Sequence, residues 1–324
     1  MDEQIPTFPP PAEFAAQAVA GADLYEEAAE DRLAYWARRA REVLHWEQDF
    51  TDVLDWSDAP FAKWFVGGTT NAAYNALDRH VEAGHGDRVA IHFEGEPGDT
   101  RTYTYADLAA EVRRAANAFE SLGVTKGDRV AVYLPMIPEA VITMLACARV
   151  GAVHSVVFGG FAASELAARI DDAQPKVVLS ASCGVERTRI VEYKPMLDAA
   201  LEKATHEVSH CVIVQRPQYE AEMGERDFDW EKVMAPGAVQ PAGCVAVEAT
   251  DPLYVLYTSG TTGRPKGIVR DNGGHAVALA WTMANIYAVG PGETMFTASE
   301  EPSMRAIAQE AGVGIATLYR HFPT

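Results

Sequence analysis

Positive charge is scarce in this sequence. It holds 27 lysines and arginines against 46 aspartates and glutamates, which gives a net charge of −19 at pH 7. A chain this acidic repels phosphate backbones, so nucleic acid is disfavoured as the main partner. A polyanionic small molecule would have to bind in a local pocket that supplies lysine or backbone N–H groups. The acidic excess itself is typical of a solvated surface.

Cysteines are few, and long apolar runs are lacking. The four cysteines are far apart, without the close spacing of a metal or redox site: Cys147, Cys183, Cys211 and Cys244. No apolar run reaches membrane-spanning length, and the opening residues, Met1 to Pro11, are acidic and contain prolines, unlike a secretory leader. We therefore expect a reduced, cytoplasmic protein with no membrane partner.

Short apolar segments alternate with helical patterns along most of the chain. The predicted strands are 89–93, 102–105, 129–134, 153–158, 176–180, 211–214 and 252–256. The predicted helices are 107–122, 138–149, one capped by Ser164, one near 196–204, and 273–288. Apolar strands separated by helices indicate a parallel sheet covered on both faces, so the fold class is α/β. The polar segment 217–250 is predicted to be a surface excursion.

The opening segment is predicted to be an extension that packs on this body. Residues 1–23 are expected to be a loose tail, followed by helices at 24–46 and 71–81. Four of the six tryptophans fall here: Trp36, Trp46, Trp56 and Trp64. We interpret them as packing anchors, in preference to ligand-stacking surfaces.

The segment Tyr257–Gly267, which we call the phosphate loop, combines three glycines, four serine and threonine hydroxyls and Lys266. It lies between a predicted strand and a predicted helix. Glycines let backbone N–H groups converge on oxygen atoms, and hydroxyls and lysine add donors and charge, so the pattern predicts a polyphosphate site. It is not a Walker A loop, because Gly260 and Gly263 are too close and Gly267 follows the lysine. A surface turn without a ligand is the alternative.

This loop resembles the phosphate-binding signature of AMP-forming adenylating enzymes, which include acyl-CoA synthetases, peptide-synthetase adenylation domains and luciferases. Two further segments, Lys63–Val81 and Met136–Phe161, resemble the short-chain branch of acetyl-CoA and propionyl-CoA synthetases. Ile268–Leu279 is more similar to propionyl-CoA synthetase. The resemblance covers residues 24–299 and implies an N-terminal extension at 24–82. It also implies the parallel-sheet sandwich of a partial AMP-binding domain at 83–299.

The resemblance implies a reaction in two halves. A short-chain carboxylate, acetate or propionate, attacks the α-phosphate of ATP, and the thiol of CoA then displaces AMP. The family uses Mg²⁺ with ATP. The residues implied to bind the β- and γ-phosphates are Thr258, Ser259, Gly260, Thr261, Thr262, Gly263 and Lys266. A plain surface role is the alternative for the lysine.

A second implied site would bind the nucleotide phosphates of CoA. The matching stretch is Gly184–Arg189, in which Arg187 and Arg189 are the candidate contacts. Glu186 stands where the family often has another arginine, and its carboxylate would repel phosphate. Solvated surface charge is the alternative for both arginines.

The family pattern ends at Ser299. No position of this sequence matches the magnesium-binding glutamate, the acyl and adenine pockets or the catalytic lysine that follow in relatives, so we name no catalytic residue and no metal ligand. We expect this chain to be inactive alone. We also expect an exposed sheet edge and solvent-exposed apolar faces, and therefore poor solubility. A non-catalytic nucleotide-binding fragment is an alternative function.

Residues 300–324 are predicted to be two short helices joined at Gly312, and they resemble the helix-turn-helix of tetracycline-repressor-type regulators. That resemblance places Thr317, Tyr319 and His321 on a DNA-facing helix. The supporting first helix and a basic face are missing. A DNA-binding regulator is therefore the second alternative, and nucleic acid is an unexpected partner.

Two titratable positions are assigned structural roles. His154 lies in a predicted buried strand and is expected to be a hydrogen-bonded core residue, not a catalytic one. Asp171 and Asp172 follow a helix, and we expect a solvated turn, not a metal site. The oligomeric state stays open.

Overall fold

The computed structural model describes residues 8–159, 161–186, 189–235, 243–258 and 266–295. The chain divides into two compact units, Met1–Gly290 and Pro291–Thr324. All described helices and strands belong to the first unit; residues 291–295 are the described part of the second. None of the described helices is both long and apolar enough to cross a bilayer.

The described helices are α1 (Ala12–Ala15), α2 (Ala22–Glu30), α3 (Arg32–Val43), α4 (Tyr105–Ser121), α5 (Pro138–Val150), α6 (Ala163–Ala173), α7 (Tyr193–Lys203), α8 (Trp230–Val233) and α9 (Gly273–Asn285), with π-helical segments at Tyr74–Asp78 and Val81–His85. The described strands are β1 (Asp52–Asp55), β2 (Lys63–Val66), β3 (Thr69–Thr70), β4 (Val89–Glu94), β5 (Thr100–Thr104), β6 (Arg129–Tyr133), β7 (Val153–Val156), β8 (Val177–Ala181), β9 (Cys183–Glu186), β10 (Arg189–Glu192), β11 (His210–Val214), β12 (Asp227–Asp229), β13 (Val247–Glu248), β14 (Pro252–Thr258) and β15 (Lys266–Asp271).

A seven-stranded sheet forms the centre of the first unit, in the order β12-β11-β8-β6-β7-β14-β15. All neighbouring strands in it are parallel except β14 and β15, which are antiparallel. Strand β8 is buried at all five residues, as expected for a central strand covered on both faces. The α/β prediction is confirmed.

Two apolar layers cover the middle of the sheet. On one face, alternate residues of β6, β8 and β11, such as Val132, Leu179 and Val212, pack with α4 and α5. On the other face, the intervening residues, such as Tyr133 and Ile213, pack with α6 and α7. Side chains of a strand alternate between faces, so each strand contributes to both cores.

Local signals fix the helices around the sheet. Thr104 and Asp107 form a reciprocal capping box at the start of α4. Helix α5 begins with Pro138 and is capped after Val150 by Gly151, whose φ of +73° favours glycine.

Three predictions of local structure were wrong. The helix predicted over 24–46 is interrupted at Asp31, whose side chain accepts hydrogen bonds from the backbone N–H groups of Leu33 and Ala34 and caps α3. Ser164 does not cap α6, because the N-cap residue is Ala162. The polar segment 217–250 is also more than an excursion, because it contributes β12 to the edge of the sheet.

The N-terminal extension packs against α9. Its core includes Ala40, Leu44, Phe50 and Phe65 together with Val277 of α9. Trp36, Trp46 and Trp64 are half-buried around this cluster, whereas Trp56 is exposed. The packing role predicted for the tryptophans is confirmed for three of the four.

A buried ion-pair network joins the first π-helical segment to the main domain. Asp78, which is 5% exposed, accepts hydrogen bonds from Arg113 of α4 at 2.6 Å and from Arg149 of α5 at 2.7 Å. These two guanidinium groups lower the pKa of Asp78, outweighing the burial of its carboxyl group, which acts in the opposite direction.

Candidate functional site

The phosphate loop begins and ends in a β-hairpin. Strands β14 and β15 pair antiparallel, with Tyr257 opposite Gly267 and Thr258 opposite Lys266. Cross-strand partners lie on the same face of a hairpin, so the structure brings Thr258 and Lys266 together. The other predicted phosphate-binding residues lie outside the described residues: Ser259, Gly260, Thr261, Thr262 and Gly263.

The position of the loop in the fold differs from the prediction. The sequence indicated a loop between a strand and a helix, but β15 intervenes before α9 begins at Gly273. The five residues from Lys266 to Arg270 are all exposed, so the strand lacks the buried apolar pattern used to predict the others. The β-branched pair Ile268–Val269 was the available signal.

Positive charge is concentrated on β15. Lys266 and Arg270 are both exposed, and they lie four residues apart, on one face of the strand. Neither forms an ion pair with a carboxylate in the part of the chain that the structure describes. In a chain with a net charge of −19, these two cations lie beside the loop, with the carboxyl group of Asp271 at the end of the same strand.

Helix α6 contacts the first residue of the phosphate loop. The hydroxyl of Tyr257 donates a hydrogen bond to Oδ2 of Asp172 at 2.5 Å. Burial and this carboxylate raise the pKa of Tyr257, so its hydroxyl stays protonated at neutral pH.

The turn predicted for the two aspartates is wrong, although Asp172 is exposed to solvent as expected. Both lie in the last turn of α6. Asp171 accepts hydrogen bonds from the backbone N–H groups of Thr205 and His206 at 2.7 and 2.9 Å, which lower its pKa. Each aspartate fixes a different neighbouring segment. No group of three or more potential metal ligands occurs among the described residues.

His154 is buried, as predicted, with 8% of its surface exposed. The predicted hydrogen bonding is not found at Nδ1, which has no partner within the described part of the chain. Its ring lies 5.4 Å from that of Tyr254 on the neighbouring strand, and Tyr254 in turn contacts His275 of α9. Burial, and to a lesser degree His275, lowers the pKa of His154 to about 4.

The candidate CoA residues lie around a second hairpin. Strands β9 and β10 pair antiparallel and place Glu186 opposite Arg189, which is exposed. Arg187 lies outside the described residues, as do the candidate DNA contacts Thr317, Tyr319 and His321. The roles predicted for these residues stay predictions.

Sequence reasoning did not single out Arg169 or the pairing of Gly267 with Tyr257. Arg169 is buried in α6, with its guanidinium carbon 4.1 Å from the ring centre of Phe161 and 5.7 Å from that of Tyr257. A Cβ atom on Gly267 would lie 3.2 Å from the ring of Tyr257. A buried arginine in an amphipathic helix carries no sequence signal for such a contact.

A mostly parallel α/β sheet with a loop rich in glycine and hydroxyl residues at a strand end is an architecture that many nucleotide-binding proteins use. The model of the family described as "AMP-binding enzyme" matches residues 77–300, and the chain belongs to that family. Residues 22–76 match "Acetyl-coenzyme A synthetase N-terminus", and residues 300–324 match "Bacterial regulatory proteins, tetR family".

Individual relatives agree with this assignment. The chain is 54% identical over 294 residues to acetyl-coenzyme A synthetase of Mycobacterium bovis, which covers 90% of this chain and 45% of that protein. It is 47% identical to the mitochondrial acyl-CoA synthetase short-chain family member 3 of Mus musculus, over 83% of this chain and 40% of that protein. The chain thus spans less than half the length of these relatives.

A solved structure shares the fold. Acetoacetyl-CoA synthetase from Streptomyces lividans superimposes with a TM-score of 0.75 at 27% identity, covering 88% of this chain and 46% of that one.

Proposed function

We propose that this chain is the ATP-phosphate-binding part of an AMP-forming short-chain acid–CoA ligase. The observation that carries the proposal is the β14–β15 hairpin, which pairs Thr258 with Lys266 at the ends of the loop. The reaction would join a short-chain carboxylate to CoA, with ATP converted to AMP and pyrophosphate. The identity of 54% to an acetyl-coenzyme A synthetase supports this class of substrate.

The chemistry asked of these residues is binding and charge neutralisation. When the carboxylate attacks the α-phosphate, negative charge develops on the departing pyrophosphate, and donors already aimed at its oxygens lower the barrier. We assign this task to the hydroxyl of Thr258 and the ammonium of Lys266, together with Ser259, Gly260, Thr261, Thr262 and Gly263. Arg270 would add positive potential from the same strand.

No group of three or more potential metal ligands occurs among the described residues. Mg²⁺ supplied with ATP would neutralise phosphate charge, and we assign it no protein ligand. For CoA, we propose Arg189 as a phosphate contact and Arg187 as a weaker one. The carboxylate of Glu186 opposite Arg189 reduces the attraction.

We propose the following division of the chain. Residues 1–23 are a tail, 24–82 the acetyl-CoA-synthetase-type extension, 83–299 the AMP-binding portion and 300–324 a separate segment. The family-model boundaries at 22–76, 77–300 and 300–324 support it. The described cysteines are free thiols, which fits a reducing, cytoplasmic location.

The DNA-binding alternative has less support. Its family match is confined to residues 300–324, and a net charge of −19 opposes association with a polyphosphate backbone.

The test is calorimetric titration of the full chain with ATP. Lys266→Ala should weaken ATP binding by about tenfold, the effect of losing roughly 1.4 kcal/mol of charge–phosphate attraction. The matched control is Lys203→Ala, which removes an exposed lysine from α7 and should leave the affinity unchanged. Equal ATP binding by Lys266→Ala and the wild type would show that Lys266 does not bind ATP.

Exchange of pyrophosphate into ATP, driven by acetate or propionate, addresses catalysis and substrate in one assay. Inactivity of this chain stays a prediction, and exchange above the acid-free background would overturn it. The acid that gives more exchange would then identify the preferred substrate.

A further inference from the structure

The start of the phosphate loop is held on three sides, by Asp172 and Arg169 of α6 and by Gly267 at the other end of the loop. Tyr257 is the last residue but one of β14. Its hydroxyl donates to Asp172 at 2.5 Å, and its ring lies 5.7 Å from the guanidinium carbon of Arg169. Asp172 and Arg169 are three residues apart on α6, so they lie on the same face of that helix.

The side chain of Arg169 is held in place by contacts other than the one with Tyr257. It is 4% exposed, and its Nη1 donates to the backbone oxygen of Glu165 at 2.6 Å and to the carboxylate of Glu165 at 3.0 Å. Its guanidinium also stacks on Phe161. A side chain with these contacts has little rotamer freedom left, so it presents a rigid surface to the tyrosine ring.

The third side is the neighbouring strand. Gly267 lies opposite Tyr257, and a Cβ atom built there would approach Val255 to 2.9 Å and the tyrosine ring to 3.2 Å. The absence of a side chain on Gly267 therefore lets the ring of Tyr257 lie against β15. Any larger residue would push the ring away from the backbone of that strand.

We propose that Tyr257 is a positioning residue, which holds Thr258 and Lys266 where the phosphates of ATP would bind. Tyr257 directly precedes Thr258, and Gly267 directly follows Lys266. Fixing the Tyr257–Gly267 pair thus fixes both ends of the loop relative to α6. This inference depends on the proposed function for its ligand, but its structural part can be tested without ATP.

Two neighbouring aspartates provide a matched experiment. Asp172→Asn and Tyr257→Phe each weaken the hydrogen bond between α6 and the tyrosine. Asp171→Asn instead alters a carboxylate that accepts hydrogen bonds from the backbone before β11 and, among the described residues, forms none with the tyrosine. Calorimetry should show about 3- to 10-fold weaker ATP binding for Asp172→Asn and for Tyr257→Phe, the range expected for one hydrogen bond. The double variant should bind no more weakly than either single one, because both remove the same contact.

The control variant should bind ATP within about twofold of the wild type, even if its melting temperature falls. A merely structural role would instead make ATP affinity follow melting temperature in all variants. Unchanged ATP affinity in Asp172→Asn, or additive losses in the double variant, would overturn the proposal.

Amide hydrogen exchange without ATP separates this proposal from the proposed function. Peptides covering β14 and β15 should exchange faster in Asp172→Asn and in Tyr257→Phe than in the wild type, and Asp171→Asn should leave them unchanged. If the wild type binds no ATP, the proposed function fails and the exchange result alone decides whether Tyr257 fixes the strand ends. Exchange that is identical in Asp172→Asn and the wild type would overturn the positioning role.

Discussion

At the scale of single residues, burial controls the chemistry of His154. The imidazole is 8% exposed and packs on Tyr254, and its pKa is lowered to about 4. The ring is therefore neutral at physiological pH and acts as a packing group. Because Nδ1 forms no hydrogen bond with the described residues, we expect a phenylalanine ring to pack at this position as well as the imidazole does.

This burial should make folding stability depend on pH. The unfolded chain protonates this histidine near pH 6.5 and the folded chain only near pH 4. The folding stability that depends on a neutral His154 is therefore fully present above pH 6.5 and is lost as the pH falls towards 4. The loss amounts to about 3 kcal/mol at the acidic end. Denaturant unfolding at a series of pH values measures it.

His154→Phe should flatten this pH dependence, whereas His92→Phe, which replaces an exposed histidine of β4, should not. Burial also lowers the pKa of His275, which acts in the same direction. Burial raises the pKa of Asp271, so this carboxyl group acts in the opposite direction. If the free energy of unfolding of His154→Phe depended on pH as strongly as that of the wild type, His154 would not be the cause of the pH dependence.

At the scale of elements, the contact between α3 and α9 links the N-terminal extension to the strand that follows the phosphate loop. The indole N–H of Trp281 in α9 donates to the hydroxyl of Tyr35 in α3 at 2.9 Å, and the Trp281 ring lies edge-on to Trp36 at 5.8 Å. Because α9 follows β15 after a single residue, Asn272, the extension also supports the hairpin.

Removing the indole donor should therefore destabilise the protein. Trp281→Phe leaves the buried hydroxyl of Tyr35 without this hydrogen bond, at a cost of about 1 kcal/mol. Urea unfolding measures the loss. The matched control is Trp56→Phe, at a side chain that is 55% exposed, and an equal loss there would show that the α3–α9 contact is not responsible.

Which elements could be predicted from the sequence depended on their burial. Strands β6, β8 and β11 stand out as apolar segments because both faces are covered, and β15 was missed because its residues are exposed. The loop composition and the candidate cation Lys266 could be found from the sequence. The contacts of Asp172 and Arg169 with Tyr257 could not, since they join residues more than 80 positions apart through a fold that no local pattern encodes.

At the scale of the whole molecule, one edge of the central sheet carries bare apolar side chains. Strand β15 pairs only with β14 among the described strands, and Ile268 and Val269 are 41% and 57% exposed. Unpaired backbone groups beside apolar side chains favour pairing with another strand. The sheet edge expected from the sequence is thus present in the described residues.

The protein should associate as its concentration rises, and Val269→Lys should reduce this association by placing a charge on the edge. Sedimentation velocity over a range of concentrations measures the change. Val19→Lys adds the same charge at a residue that is 55% exposed and lies outside any strand. An equal reduction by Val19→Lys would attribute the effect to net charge and not to the edge.

Because the antiparallel strand β15 follows the phosphate loop, we expect ATP binding to depend on ionic strength. Many phosphate sites use the positive end of a helix dipole, whose backbone groups point at the anion. Here a strand, not a helix, follows the loop in the described structure, so the proposed site would rely on the exposed side chains of Lys266 and Arg270 for positive charge. Mobile ions screen such charges over about 8 Å at physiological salt. ATP should therefore be held much more tightly in dilute buffer than in concentrated salt.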